Sequence, residues 1–386
     1  MAQKLEPKTE ASFTFAEHEP FRLMAGGELS PVTLSYAVYG DLNLKKDNAI
    51  LACHALSGNA RVADWWPEMI GPGRPLDTTK FCIICINVLG SCYGSTGPLS
   101  IDPRTGRRFA QKFPLVNVND LVRSQAVLIE HLGISKLHAV IGGSIGGMQA
   151  IEWATAFPER VEHCIAIGAT PLSALGLAIN HLQRDAIRND PAWQGGAYDP
   201  ENQPVAGLSL ARKLAMCTYK AEALFTERFS RRPNREGDDP WSDASGRFDV
   251  AGYLDYQGRI FTERFDANSY LSLTKTMDLF DLAYPGEVEH DKLANVKARM
   301  LLVGISTDWL FPAPYVRLLS ERLLDAGVDV SYAEFDSDHG HDAFLADADR
   351  LGPIIEAELG ISSDRKNLEL AASLHGSATG RSQRER

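Results

Sequence analysis

Five short apolar runs punctuate this chain: Ile50 to Cys53, Phe81 to Ile86, Leu137 to Ile141, Cys164 to Ile167 and Met300 to Val303. Runs this short, without the alternation of a half-solvated strand, read as strands buried on both faces. Stretches of helical periodicity lie between them, such as Val118 to Leu132 and Gln149 to Phe157. Buried strands joined by helices pair as a mostly parallel sheet, with helices covering both faces. Phe21 to Met24 and Thr33 to Tyr39 read instead as antiparallel strands at one edge. With 386 residues and 44% apolar content, the chain has enough material for a sizeable core in one large domain or two smaller ones.

The alternation stops after about Ala169. From Leu172 to about Tyr284 helical patterns dominate: Leu208 to Thr218, Ala221 to Phe229, Val250 to Arg264 and Ser269 to Leu279. The polar stretch Arg231 to Asp249, rich in Pro, Gly and Asp, reads as an exposed loop. The expected organisation is a first core segment (1–171), a helical lid insertion (172–294), a second core segment (295–362) and a disordered polar tail (363–386). A lid suits chemistry that must be kept from water. Packing or dimer contact is the plainer role for the same helices.

The third of the apolar runs ends in Gly142-Gly143-Ser144-Ile145-Gly146-Gly147, and Met148 to Trp153 then reads as the start of a helix. A tight strand-to-helix turn needs residues without side-chain bulk, which the flanking glycines provide. Turns of this Gly-x-Ser-x-Gly form expose a nucleophilic serine in one large group of enzymes. A hydroxyl is a weak nucleophile at neutral pH, so Ser144 needs an imidazole to take its proton and a carboxylate to orient that imidazole. Asp308 follows the strand pattern Arg299 to Gly304 on a loop closed by Pro312, and is the candidate acid. Val328 to Phe335 alternates like a last strand and leads to two candidate bases, His339 and His341, on either side of Gly340. Spacing does not choose between them; a helix predicted from Asp342 to Ala348 would hold His341 at its start and favours it. Oxyanion donors are expected from the backbone N–H of Ile145 and from that of Leu56, on the loop after the Asn48 to Cys53 strand.

Several stretches resemble those of the homoserine O-acetyltransferase family: His54-Ala55-Leu56-Ser57-Gly58-Asn59-Ala60, Gly142 to Ala150, Asn189-Asp190-Pro191-Ala192-Trp193, Tyr253 to Gly258, Arg264-Phe265-Asp266-Ala267-Asn268-Ser269-Tyr270 and Gly340 to Leu345. The resemblance runs from about Phe15 to about Leu359. It implies an α/β-hydrolase fold with a helical lid, and ping-pong transfer of an acetyl group from acetyl-CoA to L-homoserine in methionine biosynthesis. It also implies that Arg212 and Asp342 bind the amino acid, with Tyr219 and Asn59 near it, and that the chain is a homodimer formed through the lid. Taken alone, Arg212 reads as a snorkelling surface arginine and Asp342 as a helix-start charge. Two positions depart from the family pattern: Ile145 stands where methionine is usual, and Ser57 where threonine is usual. The tandem Trp65-Trp66 is a candidate for the pocket mouth or for packing.

Succinyl-CoA as donor and L-serine as acceptor remain open, because one methylene is worth only about 1–3 kcal/mol in a pocket. A plain esterase or thioesterase would share the triad without selective amino-acid binding. A net charge of −11 argues against nucleic-acid partners. No apolar run is long enough for a membrane span, and the first residues lack the apolar centre of a signal peptide. Six cysteines in a chain this long do not suggest a disulfide framework, and Cys82-x-x-Cys85 inside an apolar strand reads as a buried structural pair. A cytoplasmic enzyme with no bound cofactor and no metal is expected.

Overall fold

The computed structural model describes residues 4–361, apart from 236, 238 and 284–287. The tail 363–386, for which disorder was expected, lies outside the described residues. Eight strands form one sheet: β1 (Thr9–Phe15), β2 (Val32–Tyr39), β3 (Ala49–Cys53), β4 (Cys82–Ile86), β5 (Leu137–Gly143), β6 (Val161–Ile167), β7 (Arg299–Ile305) and β8 (Val330–Phe335). Their spatial order is β1-β2-β4-β3-β5-β6-β7-β8. β1 and β2 pair antiparallel, as do β2 and β4; the remaining pairs are parallel.

The buried runs alternate between two apolar layers. Leu51, Cys53, Ile84 and Val140 face one cluster; Ile50, Ala52, Ile83 and Ile141 face the other. This is the two-sided burial that a continuous apolar strand requires. The same alternation corrects the reading of Cys82 and Cys85 as a pair. Both are buried free thiols, but an odd spacing on a strand sends them into opposite layers.

Two long helices flank the serine turn. α1 (Val118–His131) starts with a reciprocal capping box between Asn117 and Asp120. α2 (Ile145–Ala156) is buried along nearly its whole length. Its polar groups find partners there: Gln149 accepts from Gln125 at 2.7 Å, and Glu152 pairs with Lys292 at 3.2 Å. Between β6 and β7 the chain forms α3 (Ala174–Arg188), α4 (Val205–Tyr219), α5 (Glu222–Phe229), α6 (Asp249–Thr262), α7 (Ala267–Asp278) and α8 (Glu289–Ala294). Asp266 caps α7 through the Ser269 N–H at 2.7 Å and accepts from the Tyr198 hydroxyl at 2.6 Å. α9 (Ala313–Asp325) and α10 (Ala348–Glu358) complete the layers.

Two expectations about elements change. Phe21–Arg22 is not part of the sheet; it pairs with Glu28–Leu29 in a small hairpin, and Thr9–Phe15 takes the edge position beside β2. The segment after His339 is a 3-10 turn, Gly340–Asp342, followed by a single helical turn, Ala343–Ala346, so His341 lies inside the turn and does not open a longer helix. Among the described residues no helix is long and apolar enough to cross a membrane.

Candidate active site

The turn after β5 forces Ser144 to φ 60° and ψ −130°, a strained conformation for any residue with a Cβ. Its N–H donates to the Ile167 carbonyl at the end of β6 at 3.0 Å. The glycines are sterically required. A Cβ on Gly146 would lie 2.2 Å from the Cys53 carbonyl oxygen, and one on Gly142 would lie 2.5 Å from the Gly146 carbonyl carbon. A Cβ on Gly143 would strike the Phe344 ring at 2.5 Å. The turn is thus wedged between the end of β3 and the segment that carries His341.

The structure joins His341, not His339, to Asp308. His341 Nδ1 lies 2.6 Å from Asp308 Oδ2, and both side chains are almost fully buried. The other Asp308 oxygen accepts from the Leu310 and Phe311 N–H groups, each at 2.9 Å. This anchorage fixes the carboxylate and leaves Oδ2 for the imidazole. Burial works to lower the His341 pKa. The charge and hydrogen bond of Asp308, with the charge of Asp342, more than offset it and hold the ring above its ordinary value. His339 is half exposed and pairs with Asp347 at 2.7 Å. Gly168, at φ +51°, permits the close approach: a Cβ there would lie 3.2 Å from Asp308 Oδ2 and 3.6 Å from His341 Nδ1. Among the described residues the Ser144 hydroxyl makes no hydrogen bond to His341, a contact that in unliganded enzymes is often long and tightens with substrate.

On the opposite side runs the loop after β3. His54 sits inside it, with Nδ1 2.8 Å from the Ala55 carbonyl and Nε2 accepting from the Val88 N–H at 3.2 Å. Burial lowers its pKa to about 4, against the Ala55 contact, so the ring is neutral and serves as an internal brace. Among the described residues the N–H groups of Leu56 and Ile145, the expected oxyanion donors, make no hydrogen bond. Asn59 accepts from the Arg61 N–H through Oδ1 at 2.9 Å, and its carbonyl accepts from Trp65 Nε1 at 2.9 Å. Trp65 and Trp66 stack at 5.6 Å. Trp66 is fully buried and donates to the Phe344 carbonyl at 2.7 Å, so it packs in the core.

The inserted helices supply the remaining wall. Tyr219, at the end of α4, has its ring 5.9 Å from the His341 ring. The Arg212 guanidinium lies over the rings of Tyr219 and Phe261, at 5.4 and 4.9 Å. Its Nε is buried without a hydrogen-bond partner. Asp342 is paired with Lys220 at 3.1 Å. Arg264 donates to the Ser57 carbonyl at 2.9 Å and to the Tyr93 hydroxyl at 2.8 Å, tying the insertion to the loop after β3. Sequence reasoning had not singled out Lys220, Tyr93 or the bridging role of Arg264. Their signal lies in contacts between distant segments, which spacing does not carry.

A serine strained at a strand-to-helix turn, with the acid and histidine after later strands, defines the alpha/beta hydrolase fold class, and residues 48–348 match that family. Within it, the chain is 44% identical over 344 residues to a homoserine O-acetyltransferase of Carboxydothermus hydrogenoformans, covering 86% of this chain and 91% of the relative. It is 46% identical over 348 residues to that of Symbiobacterium thermophilum, covering 87% and 90%. The chain belongs to the homoserine O-acetyltransferases, a family of acyltransferase enzymes. The crystal structure of the Bacillus anthracis homoserine O-acetyltransferase superposes with a TM-score of 0.85 at 29% identity, covering 93% of this chain and 100% of that one. The esterase E22 superposes with a TM-score of 0.83 at 28% identity, covering 91% and 99%.

Proposed function

We propose that this enzyme transfers an acetyl group from acetyl-CoA to the side-chain hydroxyl of L-homoserine through an acyl-enzyme, giving O-acetyl-L-homoserine for methionine synthesis. His341 takes the Ser144 proton as the hydroxyl attacks the thioester. The N–H groups of Leu56 and Ile145 hold the oxyanion, and coenzyme A leaves as the thiol once His341 returns the proton. His341 then deprotonates homoserine, whose oxygen takes the acetyl group and frees Ser144. Asp308 keeps the imidazole in the tautomer with Nδ1–H and stabilises the cation. No cofactor or metal enters this scheme.

The observation that carries the choice of an amino-acid acceptor is the buried, unpartnered Nε of Arg212 beside the ring that touches His341. A buried guanidinium edge lacking a hydrogen-bond partner is costly, and a substrate carboxylate would supply one. Asp342 is the group for the acceptor's ammonium, which would share it with Lys220, and Tyr219 and Asn59 line the approach. Arg212→Ala is expected to raise the homoserine KM at least tenfold and leave that of acetyl-CoA within twofold. Equal effects on both would remove the carboxylate contact from the mechanism.

The deciding assay crosses acetyl-CoA and succinyl-CoA with L-homoserine and L-serine and follows products by mass spectrometry. Acetyl-homoserine as the dominant product is expected; a dominant succinyl or seryl product would replace the substrate assignment. The likeness to esterase E22 favours plain hydrolysis as a second reading. Turnover of p-nitrophenyl acetate that gains nothing from added homoserine would establish it.

The inserted helices act in this reading as a lid and as the contact of a cytoplasmic homodimer. Leu175, Leu177, Leu182, Leu210 and Tyr256 are large side chains left exposed on them, which supports a protein contact there.

A further inference from the structure

At the opposite end of the sheet from Ser144, the first residues of β5 and β6 bring two histidines together. His138 and His163 have ring centroids 5.3 Å apart, in edge-to-face orientation. One donor atom each from His138, Glu162 and His163 lies within 4.8 Å of the other two. We infer that this cluster is a binding site for a divalent transition-metal ion of the zinc, cobalt or nickel type. The inference does not depend on the catalytic reading.

The cluster has features that an ordinary pair of surface ion pairs lacks. His163 Nδ1 lies 2.9 Å from Glu358 Oε1, and Glu358 is 2% exposed, at the end of α10. A buried carboxylate behind one imidazole nitrogen fixes the tautomer and turns the other nitrogen outward as a lone-pair donor, the usual arrangement behind a metal-bound histidine. Glu358 Oε2 is buried with no hydrogen-bond partner, so its charge is incompletely answered by Arg299, whose Nε lies 3.3 Å from Oε1. A cation bound through His163 would help to compensate it. The His138 ring is stacked on Phe81 at 5.3 Å, which limits its rotation. Its Nδ1 lies 3.2 Å from Glu162 Oε2, and Glu162 is exposed enough to swing inward.

A tetrahedral zinc with ligands at about 2.0–2.1 Å sets neighbouring donors roughly 3.4 Å apart. The three donor atoms, within 4.8 Å of one another, would have to draw together by about an ångström to hold it. Two imidazoles and one carboxylate, with a fourth position open to water, suit zinc or cobalt and disfavour calcium or magnesium, which prefer all-oxygen shells. Glu162 and Glu358 offset the charge of the ion. Such an ion would staple β5 to β6 where they begin, while Ser144 and Gly168 sit where they end.

The test is titration of the full metal-free chain with zinc chloride by calorimetry, alongside the thermal midpoint. A Cys217→Ser background removes the exposed thiol as a competing ligand. One equivalent bound per chain and a raised midpoint are expected. His138→Ala and His163→Ala should each weaken binding at least tenfold, and Glu358→Gln by about ten- to a hundredfold. Should a variant fail to fold, cobalt substitution of the parent chain decides. Tetrahedral absorption bands without thiolate charge transfer support the site. Absence of stoichiometric binding, affinity unchanged in the histidine variants, or a thiolate signature would overturn it.

Discussion

Ser144 can be read from the sequence because its neighbours must be glycine, and the distances show why: a Cβ at Gly142, Gly143 or Gly146 would overlap backbone or ring atoms. The choice between His339 and His341 was not readable in the same way. Both follow the last strand, and only the fold shows that Asp308 reaches one while Asp347 holds the other. Ser144→Ala is expected to abolish the burst of free thiol from acetyl-CoA. His341→Ala should lower kcat by at least a thousandfold, and His339→Ala by less than tenfold; stopped-flow thiol release measures both. The raised His341 pKa also sets a pH dependence. The folded ring holds its proton more tightly than the unfolded one, so it contributes stability below about pH 6.5 that is lost as pH rises through the folded value. The neutral form that the proposed mechanism requires dominates only above that value. Asp342→Asn removes one raising influence, so the acid limb of kcat/KM should move to lower pH; a fixed limb would show that Asp342 does not act on the base.

At the scale of elements, the five apolar runs became β3 to β7, because strands buried on both faces carry their signal in composition alone. β1 escaped notice. Thr9–Phe15 alternates polar and apolar residues at a sheet edge, a weak pattern when only one neighbour strand is present. The departure of Phe21–Arg22 into a hairpin has the same cause: an apolar dipeptide does not say which strand it will pair with. Gly168 also passed unremarked, since the need for a left-handed backbone there exists only once Asp308 and His341 are packed against it. The bridge from Arg264 to Ser57 and Tyr93 links the inserted helices to the loop after β3, the proposed source of one oxyanion donor. Arg264→Met should lower kcat about tenfold and change the acetyl-CoA KM little, because the loop would keep its place but lose its stiffness. A loss confined to KM, in steady-state kinetics, would argue for a binding role instead.

For the whole molecule, the insertion packs over the end of the sheet that carries Ser144, Asp308 and His341. Tyr219, Arg212 and Lys220 come from it; Ser144, Asp308 and His341 do not. An acetyltransferase and an esterase both superpose closely on this shape, so the overall fold does not by itself fix the acceptor. If the exposed leucines of α3 lie at a subunit contact, Leu175→Glu with Leu182→Glu should halve the mass measured by light scattering. An unchanged mass would move the interface elsewhere. The order of pieces along the chain has a further effect. A growing polypeptide emerges from the ribosome with Ser144 well before β7 and β8 bring Asp308 and His341, and the whole insertion must be made in between. Until β7 docks on β6 and β8 on β7, Ser144 has neither imidazole nor carboxylate at hand, so on the proposed mechanism the half-made chain carries an inert alcohol.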